Sequence, residues 1–323
     1  MSKIQIAAKH EVESYAMRDA YCDTLIELAS QNNKIVHLDA DLLSCIAMGP
    51  FQKKFPERTF DLGIQEANMI GVAAGMSATG MIPFAHSFAP FASRRCYDQI
   101  FMSCAYAKLN VRILGSDPGI TAEYNGGTHM PFEDMGILRN IPNITIIEPV
   151  DTTMLKDMVT QTAGMYGVFY IRMLRKNAVK IYEEGSSFEI GKGVQIREGK
   201  DATIFATGIM VDEALKAAEE LEKEGIYIRV VNIFTLKPID KEIIIKCAKD
   251  TGAIVTAENH NIINGLGSAV AEVLVENEPV PMERVGVKDL FGEVGPVGYL
   301  KEKFELTSND IIKSVRKVIE RKH

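Results

Sequence analysis

Among the side chains able to do chemistry, Glu66 is the most suggestive. It follows Asp61-Leu62-Gly63-Ile64-Gln65 and opens the run Glu66-Ala67-Asn68-Met69-Ile70-Gly71-Val72-Ala73-Ala74-Gly75-Met76. A carboxylate entering an apolar helix has two readings. It complements the positive end of the helix dipole, or it is a buried acid with a raised pKa, ready to share a proton with a ligand nitrogen. Downstream, Ser87-Phe88-Ala89-Pro90-Phe91 sets two phenyl rings three residues apart at a loop-to-helix junction. They are either core or one wall of a slot for a flat heteroaromatic ring. Arg94 and Arg95 follow, and by themselves read as ordinary surface charge.

A loop over 115–129 carries Asp117, Asn125 and His129 among glycines. It follows a strand-like run, where open α/β sheets bind ligands. A lone histidine is more often structural, but three polar groups on one loop point to a polar site. The basic residues are Arg18 and the run Arg172-Met173-Leu174-Arg175-Lys176-Asn177 at a strand's end. They are either a solvated strand end or a clamp that holds phosphate by parallel hydrogen bonds. No spacing suits a metal site.

The elements that must position these groups alternate between helical and short apolar patterns, which reads as α/β. Helices are expected over 14–30, 66–79, 89–109 and 134–139 and from Thr152, with strands over 34–38, 81–84, 111–114, 144–147 and 168–172. The polar stretch Glu183-Glu184-Gly185-Ser186-Ser187 breaks the pattern and divides the chain into domains 1–185 and 186–323. Beyond it, strands are expected over 202–206 and 228–231, and an apolar run covers 253–257. Helices are expected over 210–224, after Gly267 and from Ser308. In the first of these helices Val211, Ala214, Leu215, Ala218 and Leu221 keep the spacing of a buried face.

The 323 residues suit two domains, and 46% apolar and 24% charged residues are ordinary for a globular protein. A net charge of −7 argues against nucleic acid as the main partner, without excluding a small phosphorylated ligand. Cys22, Cys45, Cys96, Cys104 and Cys247 form no paired motif, so neither a zinc ribbon nor a disulfide framework is indicated. No signal-peptide pattern and no apolar run of membrane-spanning length is evident. A reduced, cytoplasmic protein is expected.

Taken in order, these segments resemble one family. The chain is similar to the C-terminal half of transketolase, the pyrimidine-binding and C-terminal domains of a thiamine diphosphate enzyme. The resemblance runs from Arg18 and Asp39-Ala40-Asp41-Leu42 through GIQEANMIGVAAG, SFAPF, NGGTH and RMLRKN. It continues to Glu258-Asn259-His260 and Gly265-Leu266-Gly267-Ser268. It implies two α/β domains, each an open, mainly parallel sheet flanked by helices. It implies that Glu66 hydrogen-bonds the aminopyrimidine ring nitrogen of the cofactor, favouring the imino tautomer that activates it. The thiamine diphosphate carbanion then moves a two-carbon ketol unit from a ketose phosphate to an aldose phosphate.

By the same resemblance, Phe88 and Phe91 pack on the pyrimidine, and Asp41 and Leu42 line its pocket. His129 hydrogen-bonds substrate oxygens and assists proton transfer, and Arg18 and Arg175 grip the substrate phosphate. Ser44 or Cys45 falls near a phosphate-binding serine. Asn125 stands where larger transketolases carry an aspartate that contacts a sugar hydroxyl. Asp117 stands where many have histidine, and Arg94 replaces a frequent tyrosine. Asp117 and Asn125 are therefore candidate substrate residues that alter substrate choice.

The family's Gly-Asp-Gly motif, which with a later Asn holds diphosphate and Mg2+, does not occur in the sequence. The resemblance thus implies an N-terminal partner subunit that carries the diphosphate-binding domain and the Mg2+ ligands, in an α2β2 assembly. Other members of the broader group are the β subunit of a 2-oxoacid dehydrogenase decarboxylase component and 1-deoxyxylulose-5-phosphate synthase. The NGGTH and RMLRKN segments are closer to transketolase. A non-catalytic subunit that kept the fold is a further alternative, against which Glu66 argues.

Overall fold

The computed structural model describes residues 3–322. They form two compact units. One runs to Pro118 and includes Ile137–Phe188; the other comprises Gly119–Gly136 and the chain from Glu189 onward. The domain border expected at 185/186 thus falls at 188/189, and a segment from the first half of the sequence groups with the second unit.

The first unit contains α1 (Met17–Gln31), β1 (Ile35–Asp39), α2 (Gly49–Lys54), β2 (Thr59–Asp61), α3 (Glu66–Ala78), β3 (Ile82–Phe88), α4 (Ala89–Ser93) and β4 (Val111–Ser116). The chain returns to it through α5 (Asp134–Leu138), followed by β5 (Ile144–Ile147), α6 (Thr152–Gly164) and β6 (Val168–Met173). Its strands lie in the order β5-β6-β4-β3-β1-β2, and every pair is parallel. β1, β4 and β6 are buried at every position, the pattern of central strands covered on both faces. Met17, Tyr21 and Leu25 of α1 join Phe51, Phe84, Leu114 and Ile171 in one buried cluster. Each fully buried Leu or Phe there contributes about 1.5–3 kcal/mol.

Two elements differ from the sequence reading. The strand expected over 81–84 extends to Phe88, because its ladder with β4 continues to the pair Phe88 and Ser116. Ser87 and Phe88 are thereby strand residues at the carboxyl end of the sheet. The single helix expected over 89–109 is broken into α4, a 3-10 turn at Arg94–Cys96 and a π-helix at Gln99–Tyr106. The Ser93 hydroxyl donates to the Ala89 carbonyl at 2.6 Å and the Cys96 thiol to the Phe91 carbonyl at 3.3 Å. Such back-bonding bends helices.

The second unit contains β7 (Val194–Arg197), β8 (Ala202–Ala206), α7 (Met210–Glu222), β9 (Ile228–Asn232), β10 (Thr235–Lys237), α8 (Lys241–Thr251) and β11 (Ile254–Asn261). It ends with α9 (Leu266–Asn277), β12 (Met282–Val287), α10 (Val297–Lys303) and α11 (Ser308–Glu320). Its sheet has the order β12-β11-β8-β9-β7, antiparallel only at the β7 edge.

The segment Gly119–Gly136 is held in this unit by the end of β11. Ile120 N donates to Asn259 Oδ1 at 2.9 Å, Gly136 N to His260 Nε2 at 3.2 Å and Asn261 N to the Phe132 carbonyl at 2.8 Å. Gly119 has φ +52, and a Cβ there would lie 2.2 Å from Asn259 Oδ1, so both the turn and the close approach require glycine. The Glu258 carboxylate accepts from Leu266 N and Gly267 N, at 2.7 and 2.8 Å, satisfying the start of α9. Among the described residues, no helix is long and apolar enough to cross a membrane.

Candidate active site

The side chains singled out in the first unit gather where its parallel strands end, the usual place for ligands in an open α/β sheet. Glu66 is the first residue of α3. The chain enters that helix through Gly63 at φ +73, whose N–H donates to Asp61 Oδ1 at 3.0 Å. The Glu66 side chain is 1% exposed. Its Oε1 accepts from the Ser87 hydroxyl at 3.0 Å and its Oε2 from Arg95 Nη1 at 2.8 Å. The Arg95 guanidinium carbon also lies 3.8 Å from the centroid of the Phe91 ring. Phe88 and Phe91 are neighbours, with centroids 6.3 Å apart and planes tilted by 54°.

Arg95, which reads as surface charge in the sequence, is thus a partner of both the acid and an aromatic ring. Ser87 was not distinguished by the sequence either. The signal that could have found it was the length of β3, which brings its hydroxyl to α3. The residues present fit an aminopyrimidine: a buried carboxylate for a ring nitrogen, with phenyl rings nearby for its faces.

Asp41 and Leu42 lie on the loop after β1, and buried polar groups fix that loop. Asp39 Oδ1 accepts from Leu42 N. Asp61 Oδ1 accepts from Asp41 N at 2.9 Å, and Asp41 takes φ +62. Asp39 Oδ2 lies 2.8 Å from His86 Nδ1 and 3.6 Å from His37 Nε2. His86 Nε2 is 3.0 Å from the Ser116 hydroxyl. Burial alone would raise the Asp39 pKa, but the nearby His37 and the hydrogen bond to His86 outweigh this and hold it well below the usual carboxylate range. His37 titrates below its ordinary value, chiefly because burial disfavours its charged form.

Arg18 and Arg175 are brought together by the segment preceding α1. It runs antiparallel to the chain after β6, with Ala7 N donating to the Ile181 carbonyl at 2.9 Å and Glu13 N to the Ala178 carbonyl at 2.8 Å. The pairing ends with Arg18 N donating to the Arg175 carbonyl at 3.2 Å. Arg18 Nη1 reaches the Cys45 carbonyl at 3.2 Å, so the 44–45 turn adjoins it, and its buried Nε has no hydrogen-bond partner among the described residues. Arg175 Nε lies 3.2 Å from Asp117 Oδ1 and 3.1 Å from Oδ2. The Asp117 side chain is 1% exposed, and burial raises its pKa although the neighbouring Arg175 lowers it. Arg172, from the same basic run, is buried in an ion pair with Glu148 and belongs to the interior.

Asn125 and His129 belong to the second unit, whereas Asp117 belongs to the first. Asn125 is exposed and His129 half-buried. The turn between them has Gly126 at φ +72, and His129 N donates to the Gly126 carbonyl at 3.0 Å. His129 Nδ1 lies 2.8 Å from the Thr128 hydroxyl oxygen. Sequence reasoning also missed the purpose of Glu258-Asn259-His260. These buried residues anchor the segment that presents His129.

Residues 13–180 match the transketolase pyrimidine-binding domain, and residues 191–311 match the transketolase C-terminal domain. The 6-deoxy-6-sulfo-D-fructose transketolase subunit SqwH of Clostridium sp. (strain MSTE9) is 54% identical, over 97% of this chain and 97% of that protein. A putative transketolase C-terminal section of Methanocaldococcus jannaschii is 44% identical, over 93% of this chain and 95% of its own length. Rat transketolase is 32% identical over 95% of this chain, but only 49% of its own length is matched. A solved structure described as a split gene transketolase, inactive beta4 tetramer, is 45% identical and superimposes with a TM-score of 0.90, covering 96% of this chain and 100% of that one. The chain belongs to the transketolase family and carries that family's pyrimidine-binding and C-terminal domains.

Proposed function

We propose that this chain is the C-terminal (beta) subunit of a two-chain transketolase, which moves a two-carbon ketol unit from an anionic ketose to an aldose using thiamine diphosphate. The observation that carries this reading is the Glu66 carboxylate, buried at the start of α3 with Ser87 on one oxygen and Arg95, stacked on Phe91, at the other. Glu66 holds a proton at the ring nitrogen of the cofactor's aminopyrimidine, and the Ser87 hydroxyl orients it. Phe88 and Phe91 pack against the ring, and Asp41 and Leu42 line the same pocket, on the loop fixed by Asp39 and Asp61. When bound, thiamine diphosphate supplies the electron sink that allows a ketose carbon–carbon bond to break and re-form. His129 hydrogen-bonds substrate oxygens and moves a proton, with Asn125 beside it on the sugar. Arg18 and Arg175 grip the anionic tail.

An N-terminal partner subunit brings the diphosphate-binding domain and the Mg2+ ligands, in an α2β2 assembly working in the cytoplasm. The partner is supported by relatives matched over nearly their whole length whose names describe a subunit and a split gene product. A sulfonated ketose is the favoured donor, supported by the 54% identity to a sulfofructose transketolase subunit.

The test mixes the chain with its N-terminal partner, thiamine diphosphate and Mg2+ and follows ketol transfer from a sulfonated ketose. Each chain alone should be inactive and the mixture active. Glu66→Gln should lower turnover of the mixture by about 100-fold or more, within the range of acid–base catalysis. Full activity of the isolated chain would overturn the two-chain reading, and wild-type turnover of the variant would overturn the role of Glu66.

A further inference from the structure

The loop residue Asp117 has no place in the scheme above, yet it is almost completely buried and faces a residue assigned to the anionic tail. Arg18 and Arg175 leave the backbone at adjacent points, joined by the bond from Arg18 N to the Arg175 carbonyl. Both have donors to spare. Among the described residues, Arg18 Nε is buried without a partner, and Arg175 bonds Asp117 through Nε. Among the described residues, His86, whose two nitrogens are engaged by Asp39 and Ser116, and the exposed Lys176 also act on Asp117. The charge of an exposed side chain is screened more than that of the buried Arg175 and Asp117 pair.

We propose that Asp117 sets the charge of the substrate tail: paired with Arg175, it leaves the two arginines with one net positive charge, matched to a singly charged sulfonate and mismatched to a phosphate ester. This rests on the ketol-transfer reading above and deepens it. The sulfonate and phosphate heads are both tetrahedral with three terminal oxygens, and the ester adds one bridging oxygen, so the shape of the head separates them poorly. Charge separates them well. A phosphate monoester carries about −1.5 to −2 at neutral pH, with its second pKa near 6, whereas a sulfonate carries one charge throughout. The extra charge would be brought beside a carboxylate already out of water, where like charges repel strongly. Discrimination of this kind works by penalising the wrong ligand.

The experiment uses the complex of this chain with its N-terminal partner and two ketoses that differ only in a 6-sulfonate or 6-phosphate tail. The wild-type complex should prefer the sulfonate. Asp117→Asn keeps the shape and removes the charge. It should shift the ratio of kcat/KM toward the phosphate by about tenfold or more, equivalent to about 1.4 kcal/mol, through KM with kcat little changed. In the wild type, lowering the pH from 7.5 to 5.5 should narrow the preference as the phosphate loses its second charge, a readout that needs no variant to fold.

An unmoved ratio, an equal loss for both ketoses, or a wild-type preference for phosphate would overturn the proposal. Should the complex transfer no ketol group, the function fails separately. Calorimetric titration of the cofactor-free complex with the same two ketoses then decides about Asp117 by the same ratio, and binding of neither overturns it.

Discussion

At the scale of single residues, the acid and its setting were unequally legible. Glu66 stands out in the sequence because a carboxylate opens an apolar run. Arg95 does not, since it lies 29 residues along the chain and only the fold brings it to Glu66. The same holds for His86 and Asp39, which are 47 residues apart. Arg95 covers one face of Phe91 and one oxygen of Glu66, the surfaces an aminopyrimidine would use. Arg95→Met is therefore expected to tighten thiamine diphosphate binding in the assembled enzyme several-fold, read from the cofactor titration of the near-ultraviolet dichroism. Unchanged or weaker binding would mean that the guanidinium stays beside the bound ring. His37 gives a prediction in pH. The unfolded chain takes up a proton at this side chain below its ordinary value of 6.5, whereas the buried ring resists it. Acidification through that value therefore favours unfolding, and the urea midpoint should fall between pH 7 and 5. His37→Gln should flatten that fall, and an equal slope in the variant would exclude His37 as its source.

At the scale of elements, the strands buried on both faces were readable because continuous apolar runs bounded by turns leave few alternatives. The break after α4 was not, because it arises from the hydroxyl of Ser93 and the thiol of Cys96 turning back onto carbonyls, which apolar spacing does not record. Short pieces such as α2, β7, β10 and α10 also escaped, being too brief for any periodicity to show. The segment Gly119–Gly136 was recognised as a polar loop, but its anchorage on β11 was invisible without the fold. Asn259→Ala should release that anchorage and leave Ile120 N unsatisfied, costing about 1–3 kcal/mol. The expected result is a lower melting temperature together with faster amide exchange over 119–136. Exchange unchanged in that segment would show that Asn259 does not hold it.

At the scale of the whole molecule, the two α/β units follow from the alternation of patterns along the chain, but their composition does not. The second unit draws on two stretches of sequence, and the bond from Ile120 to Asn259 spans 139 residues. Mixing with the proposed N-terminal partner should bring the 35.7 kDa chain into a mixed assembly, as light scattering with both chains co-eluting would record. No change in mass on mixing would count against the two-chain enzyme. The long span between Ile120 and Asn259 also has a consequence in time. During synthesis, at about 5–20 residues per second, the segment that presents His129 emerges roughly 7–28 s before the strand that secures it. For that interval the nascent chain carries a glycine-rich loop with no acceptor, so a slow stretch of translation before β11 would prolong its exposure to proteases.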